Sequence, residues 1–158
     1  MNNLGNIHMI PVLSPVDTTT TVTEAYTDVV DAGEYTEIEF VLYNGVVTGD
    51  TVVVLAYKDA NTTAGGGTAI PFRYKLSDTL GTDASGAWTY VAATGYTMPA
   101  DADGKVLRVN IDPAHTGGGF PYVYLGLDPG AGMTNWVHGV VCVTVPRYNE
   151  STPASALD

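Results

Sequence analysis

The chain is poor in cysteine, histidine and positive charge. It holds one Cys, three His and six Lys or Arg in 158 residues. Each shortage removes a class of chemistry. A lone thiol, Cys142, cannot close an internal disulfide, and its place in an apolar run reads as a small buried hydrophobe. Thiolate metal clusters are excluded with it. His8, His115 and His138 stand too far apart for a local metal motif, and no HExxH or CxxC pattern occurs. There is no GxSxG elbow, and the glycine runs at 65–67 and 117–119 lack the Lys-Ser/Thr of a phosphate loop. No apolar run reaches the length of a membrane span. The N-terminus lacks the basic and apolar regions of a secretory leader, so synthesis and retention in a bacterial-type cytosol, or exit inside an assembly, is expected.

Acids outnumber bases 17 to 6, for a formal net charge of -11. That sign repels phosphate backbones and anionic lipid surfaces, so neither nucleic acid nor membrane is an expected partner. Charged residues make up only 15% of the chain. Much of the outside must then be neutral Thr, Ser, Gly, Asn and Tyr, or be covered by partners.

What the sequence does have is alternation. Ile38, Phe40 and Leu42 alternate with Glu37 and Glu39. Leu107, Val109 and Ile111 alternate with Arg108, Asn110 and Asp112. Val123, Leu125 and Leu127 alternate with Tyr122, Tyr124 and Gly126. A side-chain period of two puts one set inside and the other outside a half-buried sheet. Strands are expected at 35–43, 51–58, 69–76, 87–92, 105–111, 121–127 and 136–145, after an extended segment near 22–26. Turn-rich breaks such as Asn44-Gly45, Asp103-Gly104 and Asp128-Pro129-Gly130 separate them. Eight or slightly more strands without a convincing helix predict an all-β sandwich, with jelly roll the favoured topology. Two segments break the alternation. Residues 52–55 are apolar on both faces, and 136–145 carries Val137, Val141, Val143 and Val145 on one face and Trp136, Val140 and Cys142 on the other. A strand covered on both sides, or one that meets another subunit, satisfies this pattern.

The ends read differently from the middle. In residues 1–17 the apolar Ile7, Met9, Ile10, Val12, Leu13 and Val16 are broken by Pro11 and Pro15. Proline excludes helix and interrupts a sheet ladder. The expectation is an extended arm over 1–17 that needs a surface to lie on, either its own domain or a neighbour, with a sandwich domain over 18–146 and a tail over 147–158.

Few residues suggest a site. Asp101-Ala102-Asp103-Gly104 looks like the start of a calcium loop, but Lys105 follows at once and the twelfth position holds Asp112 instead of Glu. A turn before a strand is the preferred reading, and no metal or cofactor is expected. Asp78 and Asp83 form a second acidic cluster. Glu37 and Glu39 share a strand face, as paired carboxylates for glycoside hydrolysis or as a solvated edge. Trp88 and Tyr90 share one face, and Tyr122 and Tyr124 share another. Such rows stack on sugar rings, and also serve as core or subunit contacts. Seven acids and no base lie between Asp17 and Glu39. That run is either an edge guarded against strand pairing or a patch for a basic partner.

The two ends carry a resemblance. Ile10-Pro11-Val12-Leu13-Ser14-Pro15-Val16-Asp17 precedes a polar segment and then an alternating one. Val140-Val141-Cys142-Val143-Thr144-Val145 runs into Pro146-Arg147-Tyr148, an acidic-polar stretch and Thr152-Pro153-Ala154-Ser155-Ala156. This layout resembles the small virion proteins of tailed bacteriophages that decorate or cement the head beside the major capsid protein. It covers most of the length as architecture, and its specific parts are these two ends. The resemblance implies a β-sandwich clamped to a capsid lattice as a trimer or dimer, with no catalysis. Its partners would be the major capsid protein and copies of itself, on the virion surface after synthesis in the host cytoplasm. Contact with capsid or neighbouring subunits then falls to Ile7, Met9, Ile10, Val12, Leu13 and Val16 of the arm and to Arg147 and Tyr148 of the tail. The alternative is a carbohydrate-binding sandwich of a tail fibre or cell surface, stacking sugars on Trp88, Tyr90, Tyr122 or Tyr124. A glycosidase is the third reading.

Overall fold

A computed structural model describes residues 7–18, 24–77 and 85–146. The tail 147–158, with Arg147 and Tyr148, lies outside the described residues, as do Asp78 and Asp83. The strands are β1 (His8–Thr18), β2 (Ala25–Tyr26), β3 (Val30–Asp31), β4 (Tyr35–Thr48), β5 (Val52–Asp59) and β6 (Thr68–Ile70). They continue with β7 (Phe72–Leu76), β8 (Thr89–Val91), β9 (Tyr96–Met98), β10 (Val106–Ile111), β11 (Tyr122–Pro129) and β12 (Asn135–Pro146). A 3-10 turn, Pro113–His115, is capped by Asp112, whose side chain accepts from the Ala114 N–H.

Among the described residues, all pairings between strands are antiparallel and form two sheets. Sheet A runs β1-β12-β4-β10-β7-β8. Sheet B runs β2-β11-β5-β6, with β3 also on β11 and β9 also on β5. One apolar core lies between them. The alternation explains it directly: Ile38, Phe40 and Leu42 of β4, Leu107, Val109 and Ile111 of β10, and Val123, Leu125 and Leu127 of β11 are all fully buried. The expected all-β sandwich is the fold.

The N-terminal segment finds its surface on its own domain, and it does so as a strand. Residues 8–18, expected as an extended arm outside the sandwich, form the edge strand of sheet A, registered against β12 from His8↔Thr144 to Thr18↔Trp136. Ile10 and Val12 sit in the core, Leu13 packs against it, and Val16 pairs through its backbone with His138. The prolines were read as ladder breakers. An edge strand tolerates proline, because half of its N–H groups need no partner, and the register shifts on either side of Leu13 take up the missing bonds. The boundary at residue 17 therefore disappears, and the sandwich begins at β1.

Three interior features were also misplaced by sequence. Asn44-Gly45 is not a turn. β4 runs through it as a bulge, with Asn44 opposite His138 and Val47 opposite Trp136. Asn44 continues the inward row of Ile38, Phe40 and Leu42, and its Oδ1 accepts the Trp136 indole N–H at 3.1 Å; the bulge after it makes Val47 the next buried residue. The expected strand 69–76 is two strands in different sheets, bent at Pro71, which cannot donate to either ladder. β9 was missed. Its preceding Gly95, at φ +85, approaches Val53 and Leu55 closely enough that a Cβ would lie 3.1 and 3.0 Å from their side chains. That turn accounts for the second apolar face of residues 52–55.

Candidate functional site

The outer faces of the two sheets hold most of the candidate residues. On sheet B, Tyr122 and Tyr124 do share the outer face, but Tyr124 is fully buried and cannot stack a sugar. The loop after β5 closes over it: the Gly65 and Gly67 N–H groups donate to its hydroxyl at 3.1 and 2.8 Å. Tyr26 stands edge-on to Tyr124, and Tyr57 stacks on it at 5.2 Å between centroids. Gly126 leaves the room. A Cβ there would sit 2.6 Å from the Tyr57 ring. The Tyr26 hydroxyl donates to Glu24 at 2.6 Å, which holds its pKa well above the ordinary phenol value. Burial first, then the same carboxylate, raises Tyr57.

The acidic run divides between the sheets. Glu24 serves this tyrosine cluster, and Asp31 turns the chain by accepting the Gly33 N–H. Glu37 and Glu39 lie on β4, on the outer face of sheet A. Glu24 and Asp31 thus stand at sheet B, apart from Glu37 and Glu39 on sheet A. The calcium candidate is likewise occupied. Asp103 accepts the Val47 N–H, Asp101 lies 3.9 Å from the Lys105 ammonium, and Asp112 caps the 3-10 turn. Among the described residues no three metal-ligating side chains converge.

The outer face of sheet A has two halves. On the β1-β12-β4 side it is apolar. Met9 and Pro11 of β1 pair with Val143 and Val141 of β12, which pair in turn with Glu39 and Val41 of β4. Val137 and Val145 extend the row on β12, and Tyr43 lies opposite Gly139 on β4. Met9 is 70% exposed and Tyr43 53%; the β12 valines are half-buried. Ile7, just ahead of β1, is exposed too. Of the expected contact residues, then, Ile7 and Met9 remain available to a partner, and Ile10 and Val12 are consumed by the core.

The β10-β7-β8 side is polar and concave. A cleft of about 660 Å³ is lined by Glu37, Glu39, Arg73, Trp88, Tyr90 and Asn110, with the turn Asp112-Pro113 and His115 at its edge. Register explains the grouping: Asn110 pairs with Glu39 on one side and Arg73 on the other, and Arg73 pairs with Tyr90. Arg108 Nε and Nη2 donate to Glu39 Oε1 and Oε2 at 2.5 and 2.9 Å, a bidentate pair that further raises the guanidinium pKa. Lys75 and Arg108, register partners, lie 5.1 and 5.6 Å from the Trp88 ring centre. Trp88 and Tyr90 were singled out from sequence. Arg73, Asn110 and His115 were missed, because they come from three separate segments with no shared motif.

Behind the apolar half, His138 is buried and stacked on Trp136 at 3.6 Å between centroids. Burial holds its pKa below the ordinary imidazole value. The Cys142 thiol is pushed far up by burial and is no nucleophile. Comparison with protein-family models, curated proteins and solved structures finds no match to this chain.

Proposed function

We propose that the protein is a non-enzymatic virion component that binds the head of a tailed bacteriophage, with its sandwich seated on the major capsid protein. The observation that carries this reading is the apolar half of sheet A: Met9, Pro11, Val41, Tyr43, Val141 and Val143 form a contiguous outward patch across three strands. A chain with 15% charged residues and this patch suits a surface that is covered in use. The contact role expected of the extended arm moves to this face, because residues 8–18 are a strand of the sheet. Each Val or Met side chain covered contributes about 1.5–3 kcal/mol before ordering costs, and copies around a capsid symmetry axis add avidity.

The strand order supports a finer reading of the fold. We infer a jelly roll, with β1-β12-β4-β10 facing β2-β11-β5-β6 and β7-β8 added at one edge. Jelly rolls serve viral capsids and lectins alike, so this order supports the virion reading without assigning it.

The test is co-sedimentation with isolated heads of the source phage. Val141→Lys and Val143→Lys each place a charge on the patch at a half-exposed position. Both variants are expected to unfold at nearly the wild-type denaturant concentration and to bind heads about tenfold or more weakly. Head binding at wild-type strength by both folded variants overturns the proposal. Light scattering of the free protein separately measures binding to its own copies.

A further inference from the structure

The cleft on the other half of sheet A takes no part in that docking surface. Its volume of about 660 Å³ falls in the range of small-molecule sites, about 300–1,000 Å³. Two aromatic residues stand at it without serving the core: Tyr90 is 63% and Trp88 38% exposed. Leaving such rings in water forfeits the stabilisation that burial would bring. The Trp88 indole is nonetheless held in place. Lys75 and Arg108 both reach its ring from the sheet, so part of its ordering cost is already met before any ligand arrives.

The charges decide the ligand class. Arg108 and Glu39 neutralise each other through two hydrogen bonds. Arg73, Glu37 and Asp112 also line the cleft. A phosphate or carboxylate ligand entering here meets two carboxylates against one guanidinium that has no bidentate carboxylate partner. A cationic ligand meets Arg73, with Arg108 and Lys75 close by. A neutral ring bearing hydroxyls on its rim and C–H groups on its face conflicts with neither. Hydroxyls donate to Glu37 or Asp112 and accept from Arg73 or the Asn110 amide, while the C–H face lies on Trp88 or Tyr90. We propose that this cleft binds a neutral oligosaccharide, with Trp88 and Tyr90 as stacking platforms and Arg73, Glu37 and Asn110 as hydroxyl partners.

The full chain is titrated with cellohexaose, chitohexaose, maltohexaose and mannohexaose, with hexagalacturonate and inorganic phosphate alongside. Amide and indole NMR shifts report the binding. At least one neutral hexaose is expected to shift the Trp88 and Tyr90 signals saturably below about 10 mM. Trp88→Ala weakens that ligand about tenfold or more, Trp88→Phe retains most of the affinity, and Arg73→Met weakens it by a smaller factor. Tyr90→Ala, at the most exposed position, gives a second folded variant should Trp88→Ala disturb the local strand. No shift with any of the four neutral hexaoses overturns the proposal. So does tighter binding of hexagalacturonate or phosphate, or wild-type affinity in both Trp88→Ala and Tyr90→Ala. Trp88→Ala should bind phage heads as wild type does, and Val141→Lys, whose partner Val41 does not line the cleft, should bind the hexaose as wild type does, so the two proposals fail separately.

Discussion

The outer faces of the two sheets begin from similar sequence and end in opposite states. Both carry aromatic side chains at alternate positions. On sheet B, Tyr26, Tyr57 and Tyr124 pack on one another over Gly126, and a glycine-rich loop shuts Tyr124 from water. On sheet A, Trp88 and Tyr90 stay exposed beside a cleft, and Met9 and Tyr43 stay exposed on an apolar row. An aromatic row on a sandwich is therefore a binding surface only where no loop of the same chain has already used it. Sheet B spends its tyrosines on stability. Sheet A leaves its rings exposed.

Substitution should separate the two faces clearly. Tyr124→Ala removes a fully buried ring and the acceptor that ties down the loop; denaturant unfolding should show a loss of about 3–5 kcal/mol. Two smaller changes dissect that loss. Tyr124→Phe keeps the ring but strands the Gly65 and Gly67 N–H groups, and is expected to cost about 1–3 kcal/mol, with faster amide exchange at both glycines. Gly126→Ala crowds the Tyr57 ring and should cost a similar amount, about 1–3 kcal/mol. A loss below about 0.5 kcal/mol for Tyr124→Ala would break the comparison, since sheet B would then be no more self-consumed than sheet A.

The core side of sheet A predicts a pH dependence. His138 has a depressed folded pKa, so the unfolded chain binds its proton more readily than the folded one. Stability is then full above the unfolded pKa of about 6.5 and falls as pH drops below it, by at most about 1.4 kcal/mol per pH unit for one group. His138→Gln should flatten this part of the pH–stability curve. An unchanged slope between pH 6.5 and the folded pKa would remove His138 as its source. The smallest effect is expected at Tyr90→Ala, within about 0.5 kcal/mol of wild type, because the ring touches solvent more than core.

Much of the sandwich was readable in the residues. Ile38, Phe40 and Leu42 against Glu37 and Glu39 identify an inner and an outer face from sequence alone, because the side-chain period of a strand is a local property. The errors have local causes as well. Pro11 and Pro15 argue against a strand only in a sheet interior, and sequence does not say which strand is the edge. Asn44-Gly45 carries a turn signal that a bulge uses equally well. Of the cleft, Trp88 and Tyr90 were legible as a pair, and Glu37 and Glu39 as another. That they meet was not, since the cleft joins β4, β7, β8, β10 and the turn after β10.

Sequence by itself determined that this chain is an all-β sandwich and which residues of its alternating strands face the core. The tertiary structure alone decided which outer face is free. Tyr124 is closed off by Gly65, 59 positions away along the chain, while no described loop treats Trp88 in that way. Alternation fixes the side of a sheet on which a residue stands. Its exposure depends on how distant segments fold back, and no local pattern carries that information.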